Sequence, residues 1–371
     1  MELFFDLVYV FAFTQVSELL YEHLTFEGAL ETAVVFLALW WAWNHTAWTT
    51  NWIDPERITV VGLLSVLMVI SLVLSATILR AFEQRGAVFA VAYVSLQLLR
   101  IGFMVWVFGW RARIGRNQVV MFVWAAVAGV AWIAGGIVDD SHARLAIWGG
   151  AIVIEYAMPL LGFRLPGAGA VPVEAWPLAG VHLTERLQLV LLVAFGETML
   201  RIGEAFTAHP ESLAVDAAFA TGFVLIFALW AIYFLHHAQP SVDPLGRSDP
   251  EALRLGGSVF TYAHAVMVGA VLAVAVAIHM TVEEPNATVT PGFAVICLGG
   301  PALYLLGIAM SKRWLGHGRN WPPIVGAVAL VVIGIPAVLG SRLSDLIAAA
   351  AVSAALAVVA AVDYVREPDA S

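Results

Sequence analysis

Twelve long apolar runs separated by short polar breaks set the pattern of this chain. A membrane-spanning helix needs about 20 mostly apolar residues. The runs predict helices near 3–20, 28–49, 58–80, 87–110, 118–138, 143–163, 182–206, 214–237, 253–280, 292–311, 320–340 and 343–364. Period-two alternation is absent, and hydrocarbon admits only helices or closed barrels because every backbone group must be paired internally. The expectation is an all-α polytopic membrane protein.

Composition agrees. Of 371 residues 61% are apolar and 12% charged, against about 25% charged in an ordinary soluble domain. Lys+Arg 18 against Asp+Glu 27 leaves no basic surplus for nucleic acid. The single cysteine, Cys297, has no partner for an internal disulfide. Acids in Met1-Glu2-Leu3-Phe4-Phe5-Asp6 stand where a cleaved leader needs basic residues, so the start is read as the first helix.

Two halves are expected. At an offset of 182, Leu7, Val8, Ala12 and Phe13 fall on Leu189, Val190, Ala194 and Phe195; near 190, Leu39-Trp40 and Trp43 fall on Leu229-Trp230 and Tyr233. Six helices per half is an even number, so the repeats would be parallel. Residues 1–165 form the first, 181–371 the second, and 166–180, with Pro166, Gly167, Gly169, Pro172 and Pro177, the linker. Even-numbered loops and the C-terminal tail hold eleven Lys or Arg, among them Lys312, and odd-numbered loops hold four, among them Arg144. The positive-inside rule then places both termini in the cytoplasm.

The remaining arginines, Arg100, Arg186 and Arg201, lie inside predicted helices. Mid-membrane charge costs a few kcal/mol on insertion scales and needs an internal partner or water. Arg100 has Gln97 and Tyr93 on its own face, Glu155 is as deep in the sixth helix, and His264 lies in the ninth. With Asp6, Glu185 and Arg186 these fall in one half of the bilayer, where a shared cluster is expected. In the seventh helix His182, Arg186, Val190, Val193, Glu197, Arg201 and Glu204 recur at spacings of three or four, a single stripe that must avoid lipid. Helix registry is the competing use of such groups.

Other features have plainer readings. His45, His236 and His237 are read as interfacial residues beside Trp48 and Trp52. Gly299-Gly300-Pro301 is a candidate break in the tenth helix. Ala125 with Gly129, and Ala131 with Gly135, suggest a close helix contact. No zinc, nucleophile-elbow or phosphate-loop signature occurs. No enzyme activity, metal or cofactor is therefore expected.

The residues also resemble a family. Glu2-Leu3-Phe4-Phe5-Asp6-Leu7-Val8-Tyr9-Val10-Phe11-Ala12 is similar to the first-helix signature of the bacterial low temperature requirement A (LtrA) family, and His182-Leu183-Thr184-Glu185-Arg186 with Gly196-Glu197 to its midpoint signature. Trp40-Trp41-Ala42-Trp43 and Tyr262-Ala263-His264 also fit. The resemblance covers essentially the whole chain and implies a bacterial membrane protein associated with growth in the cold. Family members carry residues before the first motif, so a shortened first helix is expected. A looser similarity, on Phe5-Asp6, is to six-plus-six-helix potassium channels.

The leading functional expectation is a transporter or channel of the bacterial cytoplasmic membrane, with a polar pathway between the halves for a proton or small cation. Glu155 and Glu197 would be the ion sites; Arg100, Arg186 and Arg201 counter-charges; Asp6, His182, Glu185 and His264 pathway groups. The rival is a scaffold or lipid-organising protein supporting growth in the cold. Membrane lipids are partners under either reading, nucleic acid under neither, and the oligomeric state is open.

Overall fold

A computed structural model describes residues 1–165, 180–209, 212–235, 257, 259–314, 321–338 and 343–366. Among the described residues twelve α-helices run in chain order: α1 Glu2–Glu22, α2 Phe26–Trp52, α3 Ile58–Ser75, α4 Gly86–Phe108, α5 Arg113–Ile137, α6 Ser141–Leu160, α7 Gly180–Ala208, α8 Leu213–Phe234, α9 His264–Glu283, α10 Pro291–Trp314, α11 Trp321–Val338 and α12 Asp345–Arg366. No strand occurs among the described residues; an isolated bridge joins Thr288 and Ser344.

Among the described residues ten helical segments are long and apolar enough to cross a bilayer, α9 counting from Thr261. α11 adds a shorter apolar stretch, Trp321–Gly334. α7 falls outside the ten; within its length it carries Glu185, Arg186, Glu197, Arg201 and Glu204. The chain is therefore a membrane protein of many apolar helices.

The boundaries depart from the apolar runs where polar groups can still serve a helix. α5 begins at Arg113, not near 118, because charged residues at a membrane surface do not stop a helix. α3 ends at Ser75, earlier than expected. Ser75 Oγ donates to the Ser71 carbonyl and Thr77 Oγ1 to that of Leu74, after which a 3-10 turn covers Ile78–Arg80. The ninth helix opens with a π-helical turn, Val259–Ala263, immediately before His264. The candidate break at Gly299-Gly300-Pro301 is absent: α10 runs through it. A Cβ on Gly300 would meet Val274 Cγ2 at 3.0 Å, so the glycine serves close packing on α9.

The chain forms two compact units. The first comprises Met1–Leu19 and Phe26–Leu183, the second Leu20–Thr25 and the described residues from Thr184 onward, apart from a stretch outside the description. In the first, α4 packs on α2, α3 and α5, and α6 packs on α2 and α5. Glycines set the approach: a Cβ on Gly129 would lie 3.1 Å from Val94 Cγ1, and one on Gly135 2.5 Å from Trp148 Cδ1. The α4–α5 turn uses Gly109 at φ +76°, and a Cβ on Gly115 would collide with the Gly109 carbonyl. Phe82, Phe89, Tyr93, Trp132 and Trp148 form a continuous aromatic cluster in this unit. In the second, α8, α9, α10 and α12 pack on one another and α11 covers α10 and α12. The proline-rich linker, His236 and His237 lie outside the described residues.

Candidate functional site

In the first unit the sequence placed Tyr93, Gln97 and Arg100 on one face of α4, and the structure joins that face to Glu155 of α6. Tyr93 Oη donates to Glu155 Oε2 at 2.7 Å, Gln97 Nε2 to Tyr93 Oη at 3.2 Å, and Arg100 Nη2 to Gln97 Oε1 at 3.1 Å. The result is one hydrogen-bonded chain from a carboxylate to a guanidinium, all of it buried. Arg100 reaches α2 as well, through Nη1 to the His45 carbonyl at 3.3 Å and to Thr49 Oγ1 at 3.4 Å.

Arg100 and Glu155 line one pocket with Trp41, His45, Gln97 and Trp124. It holds about 30 Å³ of room for water, enough for roughly two molecules when each needs ~10–15 Å³. His45 stands edge-on to Trp41 at a centroid distance of 4.3 Å, so it belongs to this pocket. That corrects the interfacial reading of His45; Trp48 and Trp52 do lie against each other, tilted at 54° with centroids 5.9 Å apart. The reason is rotation: His45 lies four residues after Trp41, on the same face of α2.

Asp6 is buried, and Trp43 Nε1 donates to its Oδ1 at 2.8 Å. His182 meets Glu2, Nε2 to Oε2 at 3.0 Å. Neither Asp6 nor His182 is among the hydrogen-bond partners of Arg100 or Glu155. Glu185 is exposed, which removes it from any buried cluster of acids.

In the second unit the α7 stripe is buried along most of its length. Arg186, Val190, Glu197 and Arg201 are buried, and Glu204 is exposed at its end. Arg201 Nε donates to Glu197 Oε1 at 3.0 Å, with Glu197 0% and Arg201 4% exposed. The four-residue spacing with the acid first favours this pair. His264 lies next to the π turn and shares a 3.0 Å hydrogen bond between its Nε2 and Tyr233 Oη. π turns in α-helices are frequent at functional positions.

Two buried cations escaped the sequence reading because both sit near helix ends and were counted as loop charges. Lys312 pairs with Asp363. Arg144 donates to the carbonyls of Ala81, Glu83, Gly135 and Val138, tying the start of α6 to the end of α5 and to the turn before α4. Setting both aside leaves ten positive charges against three, and the loop asymmetry survives.

Comparison with known proteins follows the same length of chain. The sequence is 34% identical over 315 residues to an uncharacterized protein, RA0937, of Rhizobium meliloti (strain 1021), covering 84% of this chain and 76% of the relative. No solved structure matches it. The family profile described as bacterial low temperature requirement A protein (LtrA) matches residues 1–361. With both signature segments inside that match, this chain belongs to the LtrA family.

Proposed function

We propose that this protein is a transporter or channel of the bacterial cytoplasmic membrane, moving a proton or small cation, with both termini cytoplasmic and its twelve helices arranged as two parallel six-helix repeats. The observation that carries the reading is the buried chain Glu155–Tyr93–Gln97–Arg100 beside a pocket with room for water. A helix contact alone needs no water-sized space next to a carboxylate and a guanidinium, and ionisable groups within spans mark ion routes by default. Glu155 and Glu197 are the acids that take up and release the ion. Arg100, Arg186 and Arg201 balance their charge, while Asp6, His182 and His264 act as relay groups. The orientation rests on the loop asymmetry. No catalytic role is assigned.

Reconstitution into proteoliposomes tests this. Under an imposed potassium diffusion potential, a trapped pH dye should report proton entry in the wild type, and Glu155→Gln and Glu197→Gln should each reduce it by about tenfold, or roughly 1.4 kcal/mol of barrier. Proton, sodium and potassium fluxes all unchanged in both variants would overturn the proposal and leave the scaffold reading.

A further inference from the structure

Arg100 is short of acceptors. A guanidinium carries five N–H groups, and Arg100 makes three hydrogen bonds, all to neutral acceptors on Gln97, Thr49 and the His45 backbone. Its Nε–H is buried without an acceptor, and the residue is 2% exposed. Glu155 is connected to it through Tyr93 and Gln97, with no direct ion pair. A buried cation held this way has paid its desolvation without gaining a contacting counter-charge. The same guanidinium lines the pocket.

We propose that this pocket binds a small monovalent anion of carboxylate type against Arg100, together with a proton on Glu155. Charge balance is the argument. With Glu155 ionised, its charge and that of Arg100 cancel across the pocket. With Glu155 protonated, Arg100 stands uncompensated, and an anion restores neutrality. The planar guanidinium fork suits a carboxylate better than a spherical ion. Space for about two waters limits the guest to the size of formate. As the identity of the cargo this rests on the transport reading above; as a binding site it does not.

Several titratable groups lie around the pair. Tyr93 contacts Glu155, Tyr9 and His45 lie within electrostatic range of Arg100, and Tyr156 adjoins Tyr93 while donating its own hydroxyl to the Leu37 carbonyl. α5, packed against α4 and α6, carries its only ionisable residues, Arg113 and Arg116, in its first turn. Of these groups His45 is the one whose protonation would mimic that of Glu155 near neutral pH.

Formate is the probe, titrated into the purified full-length protein and followed by calorimetry and by the fluorescence of Trp41 and Trp124. Wild type should bind formate roughly tenfold more tightly at about pH 5.5 than at about pH 8. Glu155→Gln should bind at both with a ratio below about two, and His45→Gln should keep the wild-type ratio. Arg100→Gln should lose binding; Arg100→Lys, which keeps the charge, should retain part of it and controls for misfolding. Absence of binding to wild type at the lower pH overturns the proposal, as does a pH ratio that vanishes in His45→Gln and persists in Glu155→Gln. Formate binding with no proton, sodium or potassium flux into proteoliposomes upholds the site and overturns transport. Proton flux indifferent to formate, without formate binding, does the reverse.

Discussion

Lys312 and Asp363, separated by 51 residues in sequence, form a two-pronged ion pair between α10 and α12, with Nζ donating to Oδ1 at 3.0 Å and to Oδ2 at 2.8 Å. Both side chains are almost fully buried. Removing one partner strands the other charge, which costs about 3–5 kcal/mol, whereas replacing both by apolar groups of similar volume is close to neutral. Lys312→Met and Asp363→Leu should each lower the melting temperature in detergent, and the double variant should recover most of the loss. Single variants that melt like the wild type would show that the pair is not dry.

Arg144 acts as a clamp on backbone, not on acids. Its four acceptors lie at 2.6 to 3.2 Å, two in the turn before α4 and two at the end of α5. Arg144→Ala leaves those carbonyls to find other donors and should cost roughly 3 kcal/mol, since each hydrogen bond to a charged group is worth ~1.5–3 kcal/mol and water recovers part. Arg144→Lys should restore less than half, because an ammonium lacks the planar fork that reaches four oxygens. Thermal unfolding of the three proteins checks the order.

The α5–α6 contact should separate two glycines sharply. A Cβ on Gly135 falls 2.5 Å from Trp148 Cδ1 and 2.6 Å from its Nε1, and that ring is held by Nε1 donating to the Trp132 carbonyl at 2.9 Å. Gly135→Ala therefore overpacks a ring that cannot swing aside and should cost about 1–3 kcal/mol. Gly149, in α6, has nothing within 4 Å of the same position. Gly149→Ala should be neutral or stabilise by up to about 1 kcal/mol through helix propensity. Equal melting temperatures would contradict the packing described.

Asp6 gives the first-helix signature a definite contact. Trp43→Phe removes the indole N–H while keeping most of the ring, and should cost about 1–3 kcal/mol by stripping a donor from a buried carboxylate. Asp6→Asn should reduce that cost. A double-mutant cycle should return a coupling of at least ~0.5 kcal/mol, and a value near zero would dissociate the two residues.

Much of the architecture was legible. Apolar runs placed all twelve helices within a few residues, apart from the early end of α3, the early start of α5 and the π-helical opening of the ninth. Spacing within one helix also foresaw the Arg100–Gln97–Tyr93 face and the Glu197–Arg201 pair. Less was legible between helices. The partnership of Tyr93 with Glu155 spans 62 residues, that of Trp43 with Asp6 37, and periodicity carries no information about which helix lies opposite. Of the groups expected to gather, Glu185 is exposed, while Asp6 meets Trp43, Glu197 meets Arg201 and His264 meets Tyr233.

By itself, the order of residues settled that this chain is helical and lies in a membrane, because hydrocarbon leaves the backbone no other way to pair its polar groups over runs of that length. It also settled which side chains share a helical face. Only the tertiary structure decided which faces meet: that Arg144 and Lys312 are buried connectors, that His45 borders a pocket, and that Arg100 reaches Glu155 through two neutral side chains. The reason is that helix pairing in lipid turns on small residues, close packing and a few polar contacts distant in sequence, none of which has a period to read.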